Sequence, residues 1–313
     1  MAFYDIQSET VIESYPRPTI EVGIFGGGYN GGVGLTYTDK YTYAGDIVTA
    51  GTVLGLGRYA PGAVGNTTVG IFGGGDTIGT ATTYTDKYTY FGDTVVSGTV
   101  LGLGRAALSA TGNAAVGIFG GGYTYSVATT NYTDKYTYAG DSVTSTTVLG
   151  VARYAPAATG NSTVGIFGGG YTHTDSPSTD HDSKYTDKYT YADDTVVAGT
   201  VLGTARGALS ATGNSTVGIF GGGRTIAGFS SNKTDKYTYA NDTVASGTVL
   251  GSSRYLLASA GNATVGIFGG GRTTTYTAYT DKYTYADDTV VTGTVLGLAR
   301  NNVSACSSVG GGL

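Results

Sequence analysis

The chain has 313 residues, with 55 glycines but only 5 prolines, and 40% of its residues are hydrophobic. This balance excludes collagen, which needs a strict three-residue glycine period with abundant proline, and it argues against a disordered linker. The formal charge is −5 and the 17 basic residues are scattered, so we expect no nucleic-acid partner. The 27 tyrosines and 9 phenylalanines favour strands, so we predict an all-β chain.

The first 21 residues precede the repeats described below. They begin MAFYDIQSETVIES, which lacks both a basic opening and an apolar core followed by small residues, so no secretory signal peptide is predicted. No window approaches ~18 apolar residues, so we expect no membrane insertion. We interpret residues 1–21 as an arm that either tethers the chain to a larger assembly or packs as a strap against its side.

Six copies of one string divide the rest of the chain. GIFGGG begins at Gly23, Gly70, Gly117, Gly165, Gly218 and Gly266, in steps of 47, 47, 48, 53 and 48 residues. TDKYTY follows each copy, at Thr38, Thr85, Thr133, Thr186, Thr234 and Thr280. An arginine then ends each following hydrophobic run, at Arg58, Arg105, Arg153, Arg206, Arg254 and Arg300. A period of this length with several short strands is typical of β-propeller blades.

Each unit contains four predicted strands. In the fourth unit they cover residues 157–159, 163–167, 186–191 and 195–202, with a hairpin turn at 192–194. The chain enters the first unit at a second strand, residues 22–25, and residues 301–306 match a missing first strand. We therefore predict a six-bladed propeller of four-stranded antiparallel blades over residues 22–313, in which the C-terminal strand closes the first blade.

Alternation along the third strand separates two sets of side chains. In residues 186–191 it places Asp187, Tyr189 and Tyr191 on one face and Lys188 on the other. We predict that the tyrosines of each blade pack on the lysine stem of the next blade, with a repeating aspartate-to-lysine contact. The first tyrosine of each TDKYTY string has this structural role, at Tyr41, Tyr88, Tyr136, Tyr189, Tyr237 and Tyr283.

The recurring glycines and arginines are interpreted as structural. Consecutive glycines can cradle phosphate, but that chemistry needs a following helix, and none is predicted. They are better explained by positive φ angles or by close approach of neighbouring strands. The six arginines lie between the fourth strand of one blade and the first strand of the next. We expect them to bond loop carbonyls between blades rather than to contact a ligand.

The repeats differ most in the loops that follow the glycines. These loops begin at Tyr29, Asp76, Tyr123, Tyr171, Arg224 and Arg272, and the topology places them on one face. Rigid scaffolds with variable loops are a common way to build recognition surfaces, although unneeded loops also drift freely. Tyrosine-containing polar loops suit sugar rings. The candidate ligand-binding residues are Tyr29, Tyr123, Tyr125, Tyr171, His173, His181, Arg224, Arg272 and Tyr276.

The longest of these loops is the fourth, and it holds both histidines of the chain. His173 and His181 lie there with Asp175, Asp180 and Asp182. Imidazole with carboxylates suits a divalent metal, but these residues lack the fixed spacing that makes a metal motif specific. We therefore expect a solvated loop, with no metal and no cofactor.

The internal order of the repeat resembles the kelch repeat. Its markers are an apolar strand ending in consecutive glycines, a tyrosine-bearing strand, an outer strand and then an arginine. The tryptophan usual in that family is absent. The near-identical copies around GIFGGG are more similar to kelch-type repeats in predicted structural proteins of tailed bacteriophages. The resemblance covers roughly residues 22 to 313.

This resemblance implies a non-enzymatic module in a virion, in a tail fibre, baseplate or capsid surface. Its expected partners are other virion proteins, reached through the arm or the propeller edges, and a host surface glycan or protein. Two alternatives remain open. One is a cytoplasmic kelch-like scaffold for protein interactions. The other, more distant, is a copper oxidase similar to galactose oxidase, although here both histidines share one loop and Cys306 lies in a predicted inner strand.

Overall fold

The computed structural model describes residues 21–126, 128–175 and 178–309, so the predicted arm, except Glu21, lies outside the described residues. These residues form strands, bends and turns, as the abundance of threonine, valine and tyrosine predicts. Across the described ranges, no helix is long and apolar enough to cross a membrane.

Six four-stranded antiparallel sheets form the blades of a propeller, which confirms the predicted fold class. The first blade contains β1 (Val22–Gly26), β2 (Thr38–Thr42) and β3 (Ile47–Ala50). The second contains β4 (Gly62–Gly65), β5 (Val69–Gly73), β6 (Thr85–Thr89) and β7 (Thr94–Ser97). The third contains β8 (Ser109–Gly112), β9 (Val116–Gly120), β10 (Thr133–Thr137) and β11 (Ser142–Ser145).

The remaining blades repeat this order, and the fourth carries an additional hairpin. The fourth blade contains β12 (Ala157–Gly160), β13 (Val164–Gly168), β16 (Thr186–Thr190) and β17 (Thr195–Ala198), and its hairpin is β14 (Tyr171–Asp175) and β15 (Ser178–Asp182). The fifth contains β18 (Ser210–Gly213), β19 (Val217–Gly221), β20 (Thr234–Thr238) and β21 (Thr243–Gly247). The sixth contains β22 (Ala258–Gly261), β23 (Val265–Gly269), β24 (Thr280–Thr284) and β25 (Thr289–Thr292).

The last strand, β26 (Ser304–Ser307), completes the first blade, as predicted. It pairs antiparallel with β1, with Ile24 opposite Cys306. The first blade therefore has the order β26-β1-β2-β3, which joins the two ends of the described chain within one sheet.

In the fourth blade one predicted strand boundary was wrong, and the long loop contains a hairpin that was not predicted. The outer strand β17 ends at Ala198 instead of reaching residue 202. Beyond it the chain crosses towards the next blade, and Leu202 is buried with Phe220 in the inter-blade core. The fourth loop is also more ordered than a solvated excursion, because β14 and β15 pair with Thr174 opposite Thr179. Facing β-branched residues favour such a ladder.

Hydrophobic clusters between adjacent blades form the core. Between the third and fourth blades, for example, Ile118 packs with Phe167, Tyr189 and Leu149. The isoleucine of GIFGGG thus faces the next blade, and the phenylalanine and tyrosines face the preceding one. Six such clusters close the ring within the described residues. Each blade is too thin to bury both faces alone, so its stability depends on both neighbours.

The predicted direction of the tyrosine packing was wrong, although the tyrosines are buried. Tyr189 of the fourth blade faces the third blade, where its hydroxyl lies 2.7 Å from Thr146 Oγ1. The lysine face of β10 in turn faces the fourth blade, where Lys135 binds Asp194 at 2.8 Å. The repeating lysine contact therefore uses the aspartate of the neighbouring hairpin turn. The aspartate of the TDK string has a different partner.

That partner is the repeated arginine. The pairs are Arg58–Asp86, Arg105–Asp134, Arg153–Asp187, Arg206–Asp235, Arg254–Asp281 and Arg300–Asp39, with N···O distances between 2.6 and 2.9 Å. All six arginines are almost completely buried. Sequence reasoning missed this pairing because lysine adjoins the aspartate in TDK, whereas the arginine lies about 30 residues away in five of the pairs and 261 residues away in the pair of Arg300 with Asp39.

Each arginine joins two blades through different groups. The Arg58 side chain donates to Phe72 O at 2.8 Å in the second blade, while Gly28 N of the first blade donates to Arg58 O at 3.0 Å. The second carboxylate oxygen of Asp86 accepts from Gly55 N at 2.9 Å. The carbonyl bonds of the side chain thus lie within the blade that the arginine enters, rather than between blades as we expected, and the contact with the preceding blade is made by the arginine backbone.

The three consecutive glycines that end GIFGGG meet two separate requirements. The first permits close approach, since a Cβ on Gly120 would lie 2.8 Å from the Phe167 ring of the next blade. The second and third adopt positive φ, as at Gly121 (71°) and Gly122 (99°). These are the two roles that the sequence suggested for the repeated glycines.

Candidate functional site

The variable loops lie beside the segments through which the chain enters each blade, at one end of the central channel. In every blade the first residue of the loop pairs with the residue that follows the repeated arginine. These pairs are Tyr29 with Asn301, Asp76 with Tyr59, Tyr123 with Ala106, Tyr171 with Tyr154, Arg224 with Gly207, and Arg272 with Tyr255. We call this end of the propeller the loop face. The residue types at these twelve paired positions vary from blade to blade, although the backbone pairing is the same.

One group of tyrosines covers the loop face at the third and fourth blades. Tyr154 lies between Tyr123 and Tyr171, at ring-centroid distances of 6.0 and 5.1 Å. Tyr125 packs edge-on against Tyr123 at 5.8 Å, and its own ring is 57% exposed. These distances are typical of favourable edge-to-face and tilted aromatic pairs.

A second group covers the first, second and sixth blades. Tyr29 packs edge-on against Tyr59 at 5.5 Å and against Tyr276 at 6.0 Å. The Arg272 guanidinium lies over the Tyr276 ring, 5.5 Å from its centroid. Aromatic rings from four loops and two linkers therefore surround the mouth of the channel.

The hydroxyl groups of these tyrosines bond to neighbouring loops. Tyr154 donates to Asp180 Oδ2 at 3.0 Å, and Tyr171 donates to Arg224 O at 2.8 Å. Tyr123 and Tyr125 both donate to the buried Asp76. Burial, with the adjacent Asp180 carboxylate as a second cause, raises the pKa of Tyr154. The hydroxyls therefore stay protonated and hold the rings in place.

The mouth of the channel contains a cavity of about 610 Å³, which we call the mouth cavity. Of the predicted ligand-binding residues, Tyr123, Tyr171 and Arg224 line it. Tyr29, Tyr125, Arg272 and Tyr276 lie on the loop face beside it and are not among its lining residues. The predicted set is therefore divided between the cavity and its surroundings.

Both histidines lie on the hairpin formed by β14 and β15. His173 Nδ1 is 2.9 Å from Asp180 Oδ1, and His181 Nε2 is 3.1 Å from Thr179 Oγ1. Asp182 accepts from Ile226 N at 2.8 Å, which joins the hairpin to the fifth blade. In the described part of the chain, no three His, Cys, Asp or Glu side chains are grouped closely enough to hold a metal.

Sequence reasoning missed several residues of the mouth cavity. Tyr59, Tyr154 and Tyr255 line it, although each follows a structural arginine directly and was not considered for binding. Asp180 lines it because the hairpin folds over the channel mouth. The sequence did contain a signal for these residues. The position directly after the repeated arginine is occupied by Tyr, Ala, Tyr, Gly, Tyr and Asn in the six copies, so its residue type varies as the first residue of the loops does.

The fold and this site define the class of the protein as a six-bladed β-propeller with a variable, tyrosine-rich loop face. No protein-family model matches the chain. No curated protein sequence matches it either.

Proposed function

We propose that the chain is a non-enzymatic binding module of a tailed-phage particle, in the tail fibre, baseplate or capsid surface, and that its loop face binds a glycan or protein on the host. The observation that carries this proposal is the distribution of variation. Constant repeats build the blades, whereas variable positions from the second to sixth blades line one cavity. A rigid scaffold with variable loops is suited to recognition.

The chemistry of the described side chains supports binding rather than catalysis. The repeated aspartates are buried against arginine, so they do not face the mouth cavity. Burial raises the pKa of Cys306 to about 12, so its thiol is protonated and a poor nucleophile at neutral pH. The hydroxyls of Tyr154 and Tyr171 are held by neighbouring loops.

The proposal that the chain belongs to a phage particle is supported by the similarity of its repeats to kelch-type repeats of predicted phage structural proteins. The perimeter of the propeller offers further contacts for other virion proteins or for copies of this chain. Each blade ends in an exposed outer strand with an unpaired edge, and Ile47, Val96 and Val197 are about half exposed there. Such edges accept additional strands.

A loop exchange tests the recognition role. Residues 171–185 are replaced by the shorter loop of residues 76–84, and the purified protein is assayed on host cells and on immobilised host glycans. We expect binding to be lost, because the exchange removes the hairpin that covers the mouth cavity. The control replaces residues 192–194 of an outer hairpin turn, which is not part of the cavity lining, by the equivalent residues 139–141. Unchanged binding after the first exchange would reject the fourth loop as the contact.

The particle assignment is tested separately by mass spectrometry of purified virions and by imaging of the intact assembly. We expect the chain at fixed stoichiometry in the particles. Its absence from particles, together with recovery of a host protein bound to the loop face, would favour the alternative of an intracellular interaction scaffold.

A further inference from the structure

The mouth cavity has a floor of hydrogen-bonded backbone that surrounds the propeller axis. The second residue after each repeated arginine donates its N–H to the carbonyl of the equivalent residue in the preceding blade. The ring contains Ala60, Ala107, Ala155, Ala208, Leu256 and Asn302, with N···O distances of 2.8 to 3.0 Å. All six residues adopt positive φ, between 50° and 55°. Because these six hydrogen bonds form a closed ring, they hold the floor rigid. The side chains of the floor are mainly methyl groups.

The walls above this floor are aromatic. Tyr59, Tyr123, Tyr154, Tyr171 and Tyr255 line the cavity. Packing of Tyr154 between two neighbouring rings restricts its rotamer, so little side-chain entropy remains to be lost when a ligand binds. The cavity therefore presents fixed flat surfaces before any ligand arrives.

Charged and hydroxyl groups occur along one side of the cavity, at the fourth and fifth blades. The side chain of Asp180 is 41% exposed, so its oxygens can accept further hydrogen bonds. The Arg224 guanidinium lies over the Tyr255 ring at 4.9 Å, and Arg224 lines the cavity. Thr179 and Thr225 complete this side. Acceptor and donor groups thus face the same space.

We propose that the mouth cavity binds a neutral pyranose, as a terminal unit of one to three sugars, which deepens and rests on the proposed function. A pyranose has an apolar C–H face and a rim of hydroxyls, and the cavity matches both with aromatic walls and one polar side. Its volume of about 610 Å³ suits a ligand of this size. Asp180 in the cavity lining, together with a net charge of −5 for the whole chain, disfavours an acidic sugar.

Saturation-transfer NMR with defined saccharides tests this proposal. The probes are the methyl glycosides of galactose, glucose, mannose and N-acetylglucosamine, with sialic acid and glucuronic acid as acidic probes and an aromatic tetrapeptide as a protein-like probe. We expect transfer to at least one neutral pyranoside, strongest at its ring C–H protons. Binding to an acidic probe or the peptide alone, or to no probe, would overturn the proposal.

Variants locate the bound sugar. Tyr154→Ala places in the fourth blade the residue that the third blade has at Ala106, so the fold tolerates it. We expect it to weaken binding about tenfold, because a stacking surface is lost. Asp180→Asn is expected to weaken binding while preserving the shape of the hairpin. The matched control is Tyr279→Ala, which removes a tyrosine that is 58% exposed and lies outside the cavity.

The results separate the site from the function. Unchanged sugar affinity in both Tyr154→Ala and Asp180→Asn overturns the assignment to the mouth cavity. If host-surface binding then persists, the proposed function stands with a different contact. If the unmodified protein binds no host surface at all, the proposed function fails, whereas sugar binding that Tyr154→Ala and Asp180→Asn both weaken would still place the sugar in the mouth cavity.

Discussion

The inter-blade layer and the loop face are made from the same repeat, but they differ in what is held constant. Between blades, the same isoleucine, phenylalanine, tyrosine, arginine and aspartate occur at every junction, and nearly all are buried. At the loop face the backbone pairing recurs, whereas the side chains change from blade to blade. Identical interfaces are required because each blade must fit two equivalent neighbours. The loop face has no such constraint, so its side chains can vary without lowering the stability of the propeller.

The largest expected effect comes from alkaline pH, which ionises the tyrosines buried in the inter-blade layer. Burial raises the pKa of the second tyrosine of each blade, at Tyr43, Tyr90, Tyr138, Tyr191, Tyr239 and Tyr285. As the pH rises, these tyrosines ionise in the unfolded chain before they ionise in the folded protein, which favours the unfolded chain. The free energy of unfolding is therefore highest below pH ~10 and falls as the pH rises above it. The expected slope is about 1.4 kcal/mol per tyrosine and pH unit. Denaturant unfolding between pH 8 and 11 measures it.

The Tyr138 hydroxyl provides a matched control for this pH effect, because it is buried without a hydrogen-bond partner in the described residues. Tyr138→Phe should leave the free energy of unfolding nearly unchanged at pH 7 and make its alkaline decline shallower. A decline of equal slope in this variant would contradict the assignment to the buried tyrosines.

The next largest effect is expected at a buried ion pair. Arg105→Met should lower the free energy of unfolding by about 3–5 kcal/mol, because it leaves the buried Asp134 carboxylate without its counterion. Burial lowers the pKa of Arg105 and raises that of Asp134, so both charges are costly when separated. Urea unfolding at pH 7 measures the loss.

The double variant Arg105→Met/Asp134→Leu sharpens this prediction, because it removes both buried charges. We expect it to regain most of the lost stability. A double variant as unstable as the single one would indicate that the pair also fixes the geometry of the junction.

A smaller loss is expected from overpacking one junction. Gly120→Ala places a methyl group about where the Phe167 ring lies, so we expect a cost of about 1–3 kcal/mol. The control is Gly32→Ala on the loop face, where an added Cβ meets nothing within 4 Å. Equal melting temperatures for the two variants would show that the junctions are looser than the contacts indicate.

The smallest effect is expected at the perimeter of the ring. Lys87 Nζ binds Asp141 Oδ2 of the next blade at 3.2 Å, but both side chains are partly exposed, at 26% and 36%. Lys87→Met should therefore change the free energy of unfolding by less than about 1 kcal/mol. A loss as large as that of Arg105→Met would mean that the outer contacts, rather than the buried layer, hold the blades together.

The fold followed from the sequence because its signals repeat. Six copies of a four-strand pattern fixed the blade number, and the unmatched segment at residues 301–306 indicated the closing strand, which the structure confirms as β26. The alternation of side chains along a strand could not predict which neighbouring blade each face of a sheet contacts. It separated Tyr189 from Lys188 correctly, but a single strand does not specify which neighbouring blade each face meets.

Less of the candidate site was predictable, for a different reason. Tyr123, Tyr171 and Arg224 were predicted because they lie in variable loops, whereas Tyr59, Tyr154 and Tyr255 lie outside those loops, directly after the repeated arginine. Their position at the mouth depends on the tight turn around the axis, where Ala60, Ala155 and Leu256 adopt positive φ. Sequence patterns do not predict a left-handed alanine or leucine, since these residues rarely adopt that conformation.

The pairing of β26 with β1 has a consequence for synthesis of the protein on the ribosome. The inner edge of β1 receives its partner only when residues 304–307 emerge, after every other described strand has been made. Until then the first blade has three strands, and the nascent chain exposes a sheet edge that any similar repeat could occupy. Because all six units are nearly identical, polysomes that carry several copies bring interchangeable partners together. The spacing of translating ribosomes thereby becomes a determinant of how much protein closes on itself.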